Sequence, residues 1–75
     1  MRVIPLSLNE LFVEWGELES DSYRLLRSNS PDGDFEIILD NTNITFYTDK
    51  DVNLFDVSIR YYYKVESYKD NLKLF

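Results

Sequence analysis

The sequence predicts an all-β chain folded as an antiparallel sandwich, and three observations carry that prediction. Apolar residues recur at every second position over short runs, as half-buried strands require. Polar turn segments separate the runs, the strongest being 29-NSPDGD-34 with its Pro-Asp-Gly set. Aromatic residues make up 16% of the 75 residues, which suits pleated surfaces better than a helical bundle. Helical periodicity is poor throughout, and only DVNLFDVSIRYYY is long enough to compete.

The elements follow in order. Residues 2 to 6 form a short first strand, Pro5 being acceptable at a sheet edge. In 9-NELFVEW-15, Leu11, Val13 and Trp15 share one face while Glu10, Phe12 and Glu14 share the other. Gly16 and the acidic ELESDS stretch then turn the chain. The run 22-SYRLLRS-28 places Tyr23, Leu25 and Arg27 together, and 35-FEIIL-39 is a fourth strand. Asp40-Asn41-Thr42-Asn43 turns into 44-ITFYT-48, and the longer loop 49-DKDVNLFD-56 follows. Residues 58 to 68 form a tyrosine-rich strand, with Tyr61, Tyr63 and Val65 on one face and Tyr62, Lys64 and Glu66 on the other. Lys69-Asp70-Asn71 makes a hairpin turn into 72-LKLF-75.

Composition excludes much chemistry. A chain of 75 residues allows one domain with a small core, residues 1–75. The absence of Cys removes disulfides and thiol chemistry, and the absence of His removes the usual zinc sites and histidine-based triads. Residues 10 to 56 hold twelve acids and three bases, net −9, whereas residues 57 to 75 are net +2. Phosphate backbones demand Lys and Arg, so an acidic body disfavours nucleic acid. The opening MRVIPLSL is too short and too early broken for a signal peptide or a membrane span, so the expectation is a soluble protein made inside the cell.

The ordered segments LFVEW, YRLLRS, FEIIL, TFYTDKDV and YYYKVES resemble a fibronectin type III domain, over roughly residues 5 to 68. The resemblance implies an immunoglobulin-like sandwich with shortened first and last strands. It also implies a core built on Trp15, Leu25, Tyr61, Tyr63 and Val65. Tyr61 then takes the part of the corner tyrosine, its hydroxyl bonded back to the preceding loop. Ser67 stands where that family often has alanine.

Candidate sites are few. Asp49, Asp51 and Asn53 imitate a calcium loop, but Leu54 and Arg60 occupy positions that need glycine and glutamate, so no metal is expected. Catalytic residues and cofactors are expected to be none. Tyr62 reads as a cross-strand partner beside Lys64 or, more sharply, as an anchor for a partner protein. Leu72 and Leu74 either cover the domain's own core, with Phe75 a frayed end, or meet a neighbouring subunit. A free-standing, cysteine-free, acidic domain of this kind resembles the small sandwich proteins of tailed bacteriophage virions. The expected role is therefore a non-catalytic virion component of tail, neck or capsid decoration. It binds other virion subunits in multiple copies, without nucleic acid or membrane. The rival expectation is an adhesion or carbohydrate-associated module of a cellular protein.

Overall fold

The computed structural model describes every residue except 17–19, 71 and 75, and the described residues form seven β-strands and no helix. β1 (Arg2–Ser7), β2 (Glu10–Glu14) and β5 (Phe46–Asp49) make a three-stranded sheet in the order β1-β2-β5. β3 (Ser22–Ser28), β4 (Glu36–Thr42), β6 (Tyr62–Lys69) and β7 (Leu72–Lys73) make a four-stranded sheet in the order β4-β3-β6-β7. Every pairing is antiparallel. Cα extents of 41 × 24 × 16 Å leave a short axis that fits two sheets stacked about 10 Å apart.

Register decides which side chains meet. Val65 lies opposite Leu25, Ser67 opposite Tyr23, and Tyr63 opposite Arg27, so these six share the inward face of the larger sheet. On the smaller sheet Leu11 and Val13 turn inward, with Asp49 opposite Leu11. Among the described residues, Leu11, Val13, Tyr23, Leu25, Leu26 and Val52 are the buried apolar ones. Of the five residues expected in the core, Leu25 is fully buried, while Trp15, Tyr61, Tyr63 and Val65 are partly covered. Trp15 lies just past the end of β2, its backbone N–H bonded to the Thr45 carbonyl at 2.9 Å and its ring edge-on to Tyr23 at 6.1 Å.

Three expectations are corrected. The first strand is not shortened: β1 spans six residues and pairs along β2 from Arg2↔Glu14 to Ser7↔Glu10. Pro5 does not stop it, because an edge strand has a side on which no N–H is needed. Asp40-Asn41-Thr42 is strand rather than turn, since β4 runs to Thr42. Two irregularities against β3 each admit an extra β4 residue, and Asn41 takes a left-handed φ of 50°, which asparagine tolerates. β6 begins at Tyr62 rather than near residue 58, because Asp56, Ser58 and Tyr61 are engaged in loop hydrogen bonds. The turn at 29–34 stands as a loop, where Gly33 passes so close to Ser28 and Ser30 that an added Cβ would lie 2.9 Å from the Ser30 Cβ.

Ser67 is fully buried, and its hydroxyl has no hydrogen-bond partner among the described residues. A buried hydroxyl without a partner costs about 1–3 kcal/mol. Ser67→Ala is therefore expected to leave stability unchanged or raise it by about 1 kcal/mol, whereas Leu25→Ala lowers it by about 2–5 kcal/mol. Urea denaturation of both variants measures the contrast.

Candidate functional site

The two sheets are tied together by charge. β3 alternates so that Arg27 faces inward beside Leu25, and β5 ends with Asp49 facing inward beside Leu11. Arg27 Nη1 donates to both Asp49 oxygens at 2.7 Å, and the Tyr63 hydroxyl from β6 donates to Asp49 Oδ2 at 2.8 Å. The Asp51 N–H adds a bond to Oδ1 at 3.0 Å. Arg27 Nη2 reaches on to Glu36 Oε1 at 2.8 Å, at the solvent side of β4. Asp49 is 2% exposed, so its charge depends on these donors rather than on water.

This cluster is closed on itself. Burial, followed by the bond to Asp49, pushes the Tyr63 hydroxyl far above its ordinary ionisation range, so it stays a neutral donor. Burial lowers the Arg27 pKa, but the bonds to Asp49 and Glu36 outweigh it and raise the guanidinium above its usual value. A carboxylate accepting four hydrogen bonds from three donors and a phenol held neutral supply rigidity rather than acid–base chemistry. Asp49, the first position of the calcium-like spacing, is spent on Arg27 and Tyr63.

The loop between β5 and β6 is built directly on this cluster. Val52 is buried beneath it, and the Tyr61 hydroxyl accepts the Asn53 N–H at 2.7 Å. Asn53 Oδ1 accepts the Phe55 N–H at 3.1 Å, and Asp56 Oδ1 accepts the Ser58 N–H and hydroxyl at 3.0 and 2.6 Å. Short Asx turns of this kind replace a strand ladder with side-chain bonds. The Leu54 N–H bonds the Leu8 carbonyl at 2.7 Å, fastening the loop to the β1–β2 hairpin. Asn29 Nδ2 bonds the Arg60 carbonyl at 3.0 Å, fastening it to the end of β3. From this braced frame Phe55 and Val57 project into solvent, 75% and 86% exposed.

The expected partner residues do not form one patch. Tyr62 is half-buried opposite Ser28 on the outward face of β6. Leu72 lies opposite Lys69 on β7, so roughly 20 Å of strand separates it from Tyr62. Leu72 is 69% exposed and Leu74 is also exposed, neither covering the core, while Phe75 lies outside the described residues. Sequence reading placed Arg27 beside Leu25 and set Asp49 in a calcium-like spacing, but it missed the pairing of the two and the exposure of Phe55 and Val57. The signal for the pairing was opposite charges at inward parity on two strands. The signal for the exposure was apolar residues interleaved with Asn53, Asp56 and Ser58, which favour turns over strands.

A shallow depression of about 230 Å³ is lined by Ser22, Arg24, Asp40, Asn41 and Tyr68. Its aromatic face is already taken, since the Arg24 guanidinium lies 5.3 Å from the centre of the Tyr68 ring and bonds Asp40 at 3.0 Å. Compared with protein-family models, curated proteins and solved structures, the chain matches none.

Removing one partner of a buried ion pair leaves the other charge stranded. Asp49→Ala is expected to cost about 3–5 kcal/mol, and the double change Arg27→Met with Asp49→Leu to recover much of it. Thermal melts of the three proteins check this. At alkaline pH the unfolded chain ionises Tyr63 near its ordinary value while the folded chain keeps it protonated. Its contribution is therefore fully present below about pH 10 and is lost as pH rises toward the folded value. Stability measured against pH should fall above about pH 10, and less steeply in Tyr63→Phe.

Proposed function

We propose that this chain is a fibronectin type III-like domain that acts as a non-catalytic binding subunit of a larger assembly. Two features support the fold reading: the strand orders β1-β2-β5 and β4-β3-β6-β7, and the Tyr61 hydroxyl bonded to the backbone of the preceding loop. The observation that carries the functional reading is the display of Phe55 and Val57 from a loop braced by hydrogen bonds. Large apolar side chains held rigidly in water are a free-energy cost to a lone monomer, and a partner that covers them removes it. A braced loop also loses little conformational freedom on binding.

The assembly we propose is a virion of the tailed-bacteriophage kind, with the domain in tail, neck or capsid decoration and present in many copies. That assignment rests on the resemblance to small single-domain sandwich proteins of such particles. Protein surfaces are the proposed partners, since the acidic body repels phosphate backbones.

The test is Phe55→Ser combined with Val57→Ser. Both sites are exposed, so unfolding stability should stay within about 0.5 kcal/mol of the parent. Cosedimentation with purified particles should be lost. A folded double variant that still cosediments like the parent overturns the loop as the binding surface. A parent protein that never cosediments with particles overturns the virion assignment.

A further inference from the structure

One end of the sandwich gathers the β1–β2 hairpin, the loop of residues 29–35 and the loop of residues 50–61. The bond from the Leu54 N–H to the Leu8 carbonyl ties the hairpin to the longer loop. The bond from the Asn29 side chain to the Arg60 carbonyl ties the 29–35 loop to it as well. Leu8, 50% exposed, thereby joins Phe55 and Val57 at one tip. Two segments far apart in the chain contribute to this exposed apolar group.

Covering the tip strands few hydrogen-bonding groups. The Phe55 N–H is held by Asn53, the Ser58 N–H and hydroxyl by Asp56, and the Ile59 N–H by the Asp56 carbonyl at 3.2 Å. On the hairpin, the Ser7 hydroxyl lies 2.8 Å from Asn9 Oδ1 and 2.9 Å from Glu10 Oε1. A partner can therefore displace water from apolar carbon and leave these bonds intact.

Charge marks out the same end. On the strands, Glu14 pairs with Arg2, Asp40 with Arg24, Glu36 and Asp49 with Arg27, and Glu66 with Arg24 and Lys73. Among the described residues, Asp32, Asp34, Asp51 and Asp56 in the two loops have no Lys or Arg partner. Lys50 and Arg60 are the cations of those loops, so four acids against two bases leave a net of −2.

We infer that this tip docks on a basic protein surface, with Leu8, Phe55 and Val57 entering an apolar depression rimmed by Lys or Arg of the partner. Such docking presupposes the binding-subunit role proposed above and adds the partner's chemistry. An apolar centre inside a polar rim is the ordinary anatomy of a protein interface. Opposite charge on the rim speeds encounter and rejects wrong partners. An anionic lipid surface fits poorly, since the loop carboxylates repel its headgroups. A second copy of this chain fits poorly too, because each copy carries a net charge of −6.

The test is an NMR titration of the full isotope-labelled chain with two synthetic peptides of equal length, both amphipathic helices. One is built from leucine and lysine, the other from leucine and glutamate. The lysine peptide should shift the Leu8, Phe55 and Val57 amides, and Phe55→Ser with Val57→Ser should abolish those shifts. Its affinity should fall as NaCl rises from about 0.1 M to about 1 M, where the screening length drops from about 10 Å to about 3 Å. Asp32→Asn, Asp34→Asn and Asp51→Asn together leave Asp56 to hold Ser58 and should weaken binding at least about threefold. Equal shifts with both peptides, shifts spread over the sheets and absent from the tip, or no shift with the lysine peptide each overturn the proposal. So does unchanged affinity in the triple variant. Flotation of the chain with phosphatidylcholine vesicles would assign the tip to a membrane and overturn it as well. If the lysine peptide fails while Phe55→Ser with Val57→Ser still abolishes cosedimentation with particles, the basic surface is wrong and the binding-subunit reading stands. If that double variant cosediments like the parent, both fall.

Discussion

Arg27 and Asp49 hold the two sheets in a single relation to each other. Each comes from a different sheet, each is turned inward by strand alternation, and they meet at 2.7 Å across the space between the sheets. Apolar burial is non-directional and tolerates sliding, whereas a doubly bonded guanidinium and carboxylate resist it. The pair is costly to bury and is offset only because Tyr63, the Asp51 N–H and Glu36 complete its hydrogen bonds. In a domain this small such a cost matters, since net stability is the small difference of large terms.

The same cluster sets the shape of the one long loop. Asp49 bonds the Asp51 N–H, Val52 enters the core, and Tyr61 catches Asn53, so the chain leaves β5 and returns to β6 along a path fixed at both ends. Tyr61 and Tyr63 stand two residues apart at the start of β6, one serving the loop and the other the ion pair. Tyr62 between them faces the opposite side, beside Ser28. Alternation by half a revolution per residue puts Tyr62 on the face opposite Tyr63.

Much of the fold was legible because local physics decides it. Alternation located the strands around Leu11, Leu25 and Val65, and the Pro-Asp-Gly set located the turn before β4. Errors fell where pairing overrode local signals. Asp40-Asn41-Thr42 has turn chemistry, yet β3 recruits it as strand by way of irregular registers. Residues 58–61 continue a strand-like pattern, yet loop bonds to Asp56 and Asn53 claim them.

The sequence by itself determined the all-β class, the inward parity of Leu25, Arg27, Tyr63 and Val65, and the lack of histidine and cysteine chemistry. These follow from residue type and from a two-residue period, which need no knowledge of distant neighbours. Tertiary structure alone decided that Asp49 meets Arg27 across 22 positions of chain, and that Phe55 and Val57 face water. Each depends on which strands stack and how far each pairing runs, and those are set by contacts between residues far apart in the chain. A carboxylate reads the same in sequence whether it faces water or a guanidinium; only the stacking of the second sheet tells them apart.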